Sequence, residues 1–255
     1  MTPAPDRLTC SSCQQDFAVL EGIPMLAMLD EEHAQQSGDG QPSAESYQRR
    51  YQQVESAAIY NQAYRERPLK RWSTRREFQL LERLLASQPR CRTLLDIPCG
   101  GGRLSPPQAR FTDLLIEADV GLGQVRYARQ HGLVETAQAW MTASALHIPF
   151  EDAAVDGVAC IRLCHHLPET KQREELVAEL LRVASRFVLM TFFDYHSFKN
   201  LLRRARRPFN RKPPKMTMSV AEVGKLARRH GARLAAFPPL SRFGSGHRYA
   251  LMVKA

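Results

Sequence analysis

Three consecutive glycines, Gly100, Gly101 and Gly102, follow an apolar run, Thr93-Leu94-Leu95, that ends in Asp96. An apolar strand that breaks into a glycine turn and then a helix is the corner at which doubly wound sheets bind phosphates and nucleosides. Glycine suits that corner because the backbone turns sharply and a ligand must approach where a Cβ would stand. The spacing excludes two common ligand modes. A dinucleotide fingerprint needs glycine where Ser105 stands, and a phosphate loop needs a Gly-Lys-Ser/Thr ending that is absent. About twenty positions after the turn, Asp119 supplies a carboxylate of the kind that accepts both hydroxyls of a ribose. Further along, His165 and His166 are adjacent. An imidazole with an ordinary pKa near ~6.5 takes a proton from a hydroxyl at neutral pH.

These residues need strands to carry them to one edge. Strands are expected over 93–97, 112–118, 154–161 and 186–193, with helices over 122–131, 169–184 and 219–231. Two last strands, 233–237 and 247–254, close the chain. Strands alternating with helices imply an α/β fold built on a mostly parallel sheet. Ligands of such sheets lie outside the carboxyl ends of the strands. That rule gathers Asp96, Asp119, Arg162, His165 and His166 on one edge. Asp194, Tyr195 and His196, at the end of the 186–193 strand, join them as candidates for orienting a substrate or removing a proton. Upstream, residues 45–86 read as helix interrupted near Pro68, with Tyr47, Tyr51, Tyr60 and Tyr64 at helical spacing.

The order of these motifs resembles that of class I S-adenosylmethionine-dependent methyltransferases, of the type 11-like kind, over about residues 45–255. Leu95-Asp96-Ile97-Pro98-Cys99-Gly100-Gly101-Gly102 is similar to the family's first motif, L-D-x-G-C-G-x-G, with Pro98 in place of the first glycine. Proline fixes that φ near about −65°. Segment 142–152, TASALHIPFED, is similar to the family's adenine-lining stretch, with Ser144 where the family carries an acid. The resemblance implies a Rossmann-like, mostly parallel seven-stranded sheet, helices on both faces and a C-terminal antiparallel hairpin. It implies S-adenosylmethionine as cofactor, held by Tyr60, Arg71, Asp96, Pro98, Cys99, Gly100, Gly102, Asp119, Val120, Ser144, Ala145, Leu146 and Arg162. Asp119, rather than Glu117, matches the ribose-binding position. His165, His166 and Asp194 are the catalytic candidates.

At 255 residues the chain holds one domain of about 200 residues and a small appendage. Its net charge of +10 favours anionic partners. Segment 197–215 concentrates that charge in Lys199, Arg203, Arg204, Arg206, Arg207, Arg211, Lys212 and Lys215, with no acid. The expected acceptor is therefore an anionic small molecule, glycan or glycolipid such as lipopolysaccharide, with peripheral contact to an anionic membrane surface. RNA is the alternative acceptor, and a non-catalytic methyltransferase-like adaptor is the alternative class. Cys10-x-x-Cys13, Phe17 and Gly22-Ile23-Pro24-Met25-Leu26 are similar to half of a zinc ribbon of the Trm112-like kind. Tetrahedral zinc needs four ligands, and only one cysteine pair and His33 are near. Residues 1–40 are thus expected to form a degenerate ribbon without metal, a β-hairpin cap that also offers a protein-docking surface. The polar stretch 34–44 is read as the linker, and residues 41–255 as the methyltransferase domain. Neither a transmembrane run nor a signal-like N-terminus is visible, so a cytoplasmic protein, peripheral at the inner membrane, is expected.

Overall fold

A computed structural model describes residues 6–11, 14–27, 54–132, 134–206 and 216–254. Strands β1 (Arg7–Thr9), β2 (Asp16–Leu20) and β3 (Ile23–Pro24) form a small antiparallel sheet. Helices α1 (Val54–Glu66) and α2 (Pro68–Leu85) come next. Pro68 sits at the first position of α2, where a missing N–H costs nothing because no intrahelical acceptor exists for it. The main sheet begins with β4 (Cys91–Asp96) and continues through the short α3 (Ser105–Ala109), β5 (Thr112–Asp119), α4 (Leu122–His131) and β6 (Ala137–Thr142). Then follow β7 (Val155–Cys160), a 3₁₀ turn (Cys164–His166), α5 (Thr170–Val183), β8 (Ala184–Phe193) and α6 (Phe198–Ala205). Helix α7 (Val220–Arg229) and strands β9 (Ala232–Ala236) and β10 (His247–Lys254) end the fold.

The seven strands stand in the order β6-β5-β4-β7-β8-β10-β9. The first five are parallel, and β10 runs antiparallel to both neighbours. Successive strands leave β4 in opposite directions, β5 to one side and β7 to the other. The crevice opened there, at the carboxyl ends of β4, β5 and β7, is where an open α/β sheet receives its ligand. Apolar side chains cover both faces. Leu176, Leu180, Val188, Met190, Val223 and Ala227 pack on one, and Leu81, Leu85, Leu94, Leu115, Phe187 and Tyr249 on the other. Burial on both faces explains the unbroken apolar runs of the central strands.

Strand β6 had no counterpart among the expected strands. Its sequence, AQAWMT, is buried only at Met141 and Thr142, so it lacks the apolar run of a central strand. The small sheet docks against this edge. Met25 bridges Thr142, and the Leu26 amide donates to the Thr142 carbonyl at 3.0 Å. Ile23 is fully buried against Leu122 and Val125, with Met25 and Trp140 packed beside them. Arg126 donates to Glu21 Oε1 at 2.8 Å. The hairpin cap is thus a three-stranded sheet seated on α4 and β6. Cys10 follows β1, while Cys13, His33 and the 34–44 linker lie outside the described residues. Ile23→Ala is expected to weaken this docking by about 2 kcal/mol, the lower end for a buried isoleucine truncation. Hydrogen exchange at the Leu26 amide reads it, and unchanged protection would contradict the docking.

Candidate active site

The glycine turn is pinned between two strands. The Ile97 amide donates to the Ala159 carbonyl at 2.9 Å, and the Cys99 amide to that of Ala118 at 2.8 Å. The Ile97–Pro98 peptide is cis, and the left-handed backbone falls on Gly100 (φ 56°) and Gly102 (φ 70°). Proline is therefore compatible with this turn, because Pro98 itself needs no positive φ. Between them, Gly101 lies under α1. A Cβ there would collide with the Asn61 side chain and stand 2.7 Å from Tyr127 Cδ1. The Cys99 thiol is buried, which pushes its pKa well up, and it donates to the Gly100 carbonyl at 3.2 Å.

Three carboxylates lie close to the turn and differ in their partners. Asp119 reaches across to it, accepting from the Gly100 amide at 3.1 Å and the Gly121 amide at 2.9 Å. Burial raises its pKa to about 6 against the opposing effect of those amides. Glu117 points into the fold, where Ser105, Gln138 and Trp140 all donate to it. Asp96 is 1 % exposed, and Gln108 is its neighbouring side-chain donor. Burial, reinforced by Glu117, lifts its pKa well above the carboxylate range.

On the neighbouring loop, Ser144 Oγ accepts from the Leu146 amide at 3.3 Å. Ala145 is buried, Leu146 is half-buried against the core, and Val120 is half-buried directly after Asp119. Arg71 is exposed on α2, and Tyr60 lies on α1 with a side chain outside the described residues.

Arg162 takes part in a clamp. With φ at 68°, it donates its amide to Thr191 Oγ1 at 2.7 Å. Its guanidinium donates to Glu77 Oε1 at 2.8 Å and to the Tyr64 hydroxyl at 2.9 Å. Arg103, from the glycine turn, donates to the other Glu77 oxygen at 2.7 Å and stacks 4.5 Å over the Tyr64 ring. Glu77 was not among the expected site residues, since it follows Arg75 and Arg76 in a charged run. Its helical spacing from Leu80, Leu81 and Leu84 was the available signal for an inward position.

Histidines gather at the ends of β7, β8 and β10. The His165 ring lies 4.1 Å from His166, 4.3 Å from Phe193 and 4.9 Å from His247. His247 arrives from β10, in register with Phe193. Burial, and then the charge of Arg162, pushes its pKa down to about 3, so this imidazole is neutral at physiological pH. Arg203 stands 5.5 Å over the Phe193 ring. Asp194 is placed differently from the expected base. It accepts from Arg248 Nε at 2.8 Å and from the His196 amide at 3.0 Å. A buried carboxylate with an arginine partner ties the end of β8 to β10. Tyr195 and His196 are exposed.

The strand order, the antiparallel last pair and the glycine turn at the crevice define the Rossmann-like methyltransferase fold. Residues 95–190 match the family model described as a methyltransferase domain. A curated ubiquinone biosynthesis O-methyltransferase of Xylella fastidiosa (strain 9a5c) is 29% identical over 100 residues, covering 38% of this chain and 41% of that protein. The chain thus spans about two fifths of the length of the curated relatives it matches. Magnesium protoporphyrin IX methyltransferase from Synechocystis PCC 6803, solved with bound SAH, superposes with a TM-score of 0.68 at 16% identity, over 82% of this chain and 98% of that one. The N-methyltransferase NodS of Bradyrhizobium japonicum WM9, also with SAH, gives a TM-score of 0.58 at 13% identity, over 75% and 90%. A curated O-methyltransferase and a solved N-methyltransferase are both similar to this chain, so these similarities do not set the acceptor atom.

Proposed function

We propose that this protein is an S-adenosylmethionine-dependent methyltransferase acting on an anionic small-molecule, glycan or glycolipid acceptor. The observation that carries the reading is the Asp119 carboxylate laid against the amide of the left-handed Gly100, a nucleoside-binding corner inside a methyltransferase domain. The residues suit the cofactor. Asp96 is a buried carboxyl at the end of β4, beside the turn, where it would meet an ammonium group. Gly101 keeps the turn packed against Asn61 and Tyr127.

In this reading Asp119 accepts the ribose hydroxyls, Asp96 faces the amino acid moiety, and Ser144, Ala145 and Leu146 line the adenine. When bound, S-adenosylmethionine supplies a methyl group made electrophilic by its sulfonium. The protein's main contribution is alignment, which is worth about 7–11 kcal/mol when reactants are held in line. For a hydroxyl acceptor, His165 or His166 takes the proton, and neutral His247 keeps the neighbouring wall uncharged. Lys199 and Arg203 supply the preference for an anionic acceptor. The N-terminal sheet is a candidate docking surface for a protein partner.

Calorimetric titration of S-adenosylmethionine into wild type and Asp119→Ala tests the reading. Micromolar binding is expected for wild type, weakened at least about tenfold, or 1.4 kcal/mol, by the substitution. The pH dependence has a definite sign. Burial raises the Asp119 pKa in the folded state from 3.8 to about 6. This group therefore favours the unliganded fold at low pH, and that contribution is lost as the pH rises through about 6. A carboxylate that accepts two hydroxyl bonds must be ionised. Wild-type affinity is expected to fall below about pH 6, while that of Asp119→Ala stays flat across the same range. A folded protein that binds no S-adenosylmethionine would be a methyltransferase-like adaptor.

A further inference from the structure

Helix α6 is turned inside out. Phe198, Leu201, Leu202 and Ala205 recur at i, i+3, i+4 and i+7, the spacing of a helix's buried stripe. Here that stripe faces solvent, with Phe198 51%, Leu201 54% and Leu202 37% exposed. The polar residues take the inner side. Asn200 is 2% exposed and donates to the Asp194 carbonyl at 2.9 Å while accepting from Arg203 at 3.0 Å. Lys199 donates to the Gly244 carbonyl at 2.8 Å, and Arg204 lies 3.8 Å over the Tyr195 ring. Phe243, 71% exposed, extends the outward stripe through an edge-on contact with Phe198 at 5.6 Å.

We infer that α6 and the Phe243 loop form a docking face for the surface of an anionic lipid bilayer. Charge selects this occupant. Around the apolar stripe stand the exposed Arg203, Arg206 and Arg242, with the half-buried Lys199 and Arg204 behind them, and no acidic residue occurs from 195 to 221 or after 222. An apolar ridge between cations matches the headgroup and acyl boundary of such a bilayer, where buried apolar area and attraction to anionic lipids add together. Among the described residues no helix is long and apolar enough to cross a membrane, so the contact is with the surface. The docking needs no S-adenosylmethionine and stands apart from the methyl-transfer reading. One consequence rests on that reading. The same face leads through Arg203 and Phe193 to the histidine cluster, so the acceptor would be lipid-borne.

Co-sedimentation with vesicles of phosphatidylglycerol in phosphatidylcholine tests the docking, with pure phosphatidylcholine as the comparison. Wild type is expected to bind the anionic vesicles alone, and less as salt is added. The double variant Phe198→Ser/Leu201→Gln is expected to bind at least about tenfold more weakly, while staying folded, as thermal unfolding checks, because about half of each side chain already faces solvent. Phe243→Ser, on a separate loop, gives an independent check in the same direction. Absence of wild-type binding to anionic vesicles would overturn the inference, as would variants that bind like wild type. So would sedimentation showing a wild-type dimer that the double variant splits, since the face would then join two copies of this chain. Titration of S-adenosylmethionine into the same variants is expected to match wild type, which keeps a failure of docking separate from a failure of the cofactor site.

Discussion

Glu77→Ala is expected to lower the unfolding free energy by about 3–5 kcal/mol, the usual result of leaving buried charges without their partner. Glu77 is 1% exposed and holds two guanidiniums, Arg103 at 2.7 Å and Arg162 at 2.7 Å. Both arginine side chains are themselves mostly buried, so solvent screens them little. Removing the carboxylate leaves two positive charges facing each other beneath Tyr64. Affinity for S-adenosylmethionine is expected to fall as well, because Arg103 belongs to the glycine turn and Arg162 to the loop after β7. Urea unfolding of Glu77→Ala and Glu77→Gln decides the matter, with Gln, which keeps shape and some hydrogen bonding, falling between Ala and wild type. A loss below about 1 kcal/mol would class the clamp with ordinary surface ion pairs. The clamp's worth lies in joining three distant segments. Replacing all three charged residues with apolar ones could leave stability unchanged while freeing the turn.

Gly101→Ala is expected to weaken S-adenosylmethionine binding about a hundredfold, or 2.7 kcal/mol. A Cβ at that position meets the Asn61 side chain and stands 2.7 Å from the Tyr127 ring, so α1 must lift from the turn or the turn must sink. Either movement disturbs the Gly100 amide that Asp119 holds. The collision with Asn61 involves the end of a flexible side chain, which suggests a rescue. Adding Asn61→Ala to the variant opens space and is expected to restore part of the affinity. An unchanged dissociation constant in Gly101→Ala would show that α1 does not press on the turn.

The parts legible in the sequence were those set by local physics. Helix α4 and strand β10 have the expected bounds, and β4 with its glycine turn stands where the apolar run and the three glycines put it. Asp119 and Glu117 differ in surroundings, since one carboxylate meets the turn and the other is enclosed by Ser105, Gln138 and Trp140. What escaped was set by contacts between distant residues. The ion pair of Asp194 with Arg248, 54 positions later, was not visible in the sequence. The sequence did not show that the Arg162 guanidinium would meet Glu77 and Tyr64, 85 and 98 positions earlier. His247 joins the histidines only because β10 inserts beside β8 in a register that pairs it with Phe193. Strand β6 carries no apolar period to read, because only its last two residues, Met141 and Thr142, are buried.

That covering also sets a timetable for the protein's birth. Ala27 and its hydrogen-bond partner Thr142 are 115 residues apart. At a ribosomal rate of about 5–20 residues per second, the small sheet waits on the order of ten seconds for its seat to be synthesised. Throughout that interval the Ile23 side chain has nothing of its own fold to rest against. The segment is therefore made early and seated late.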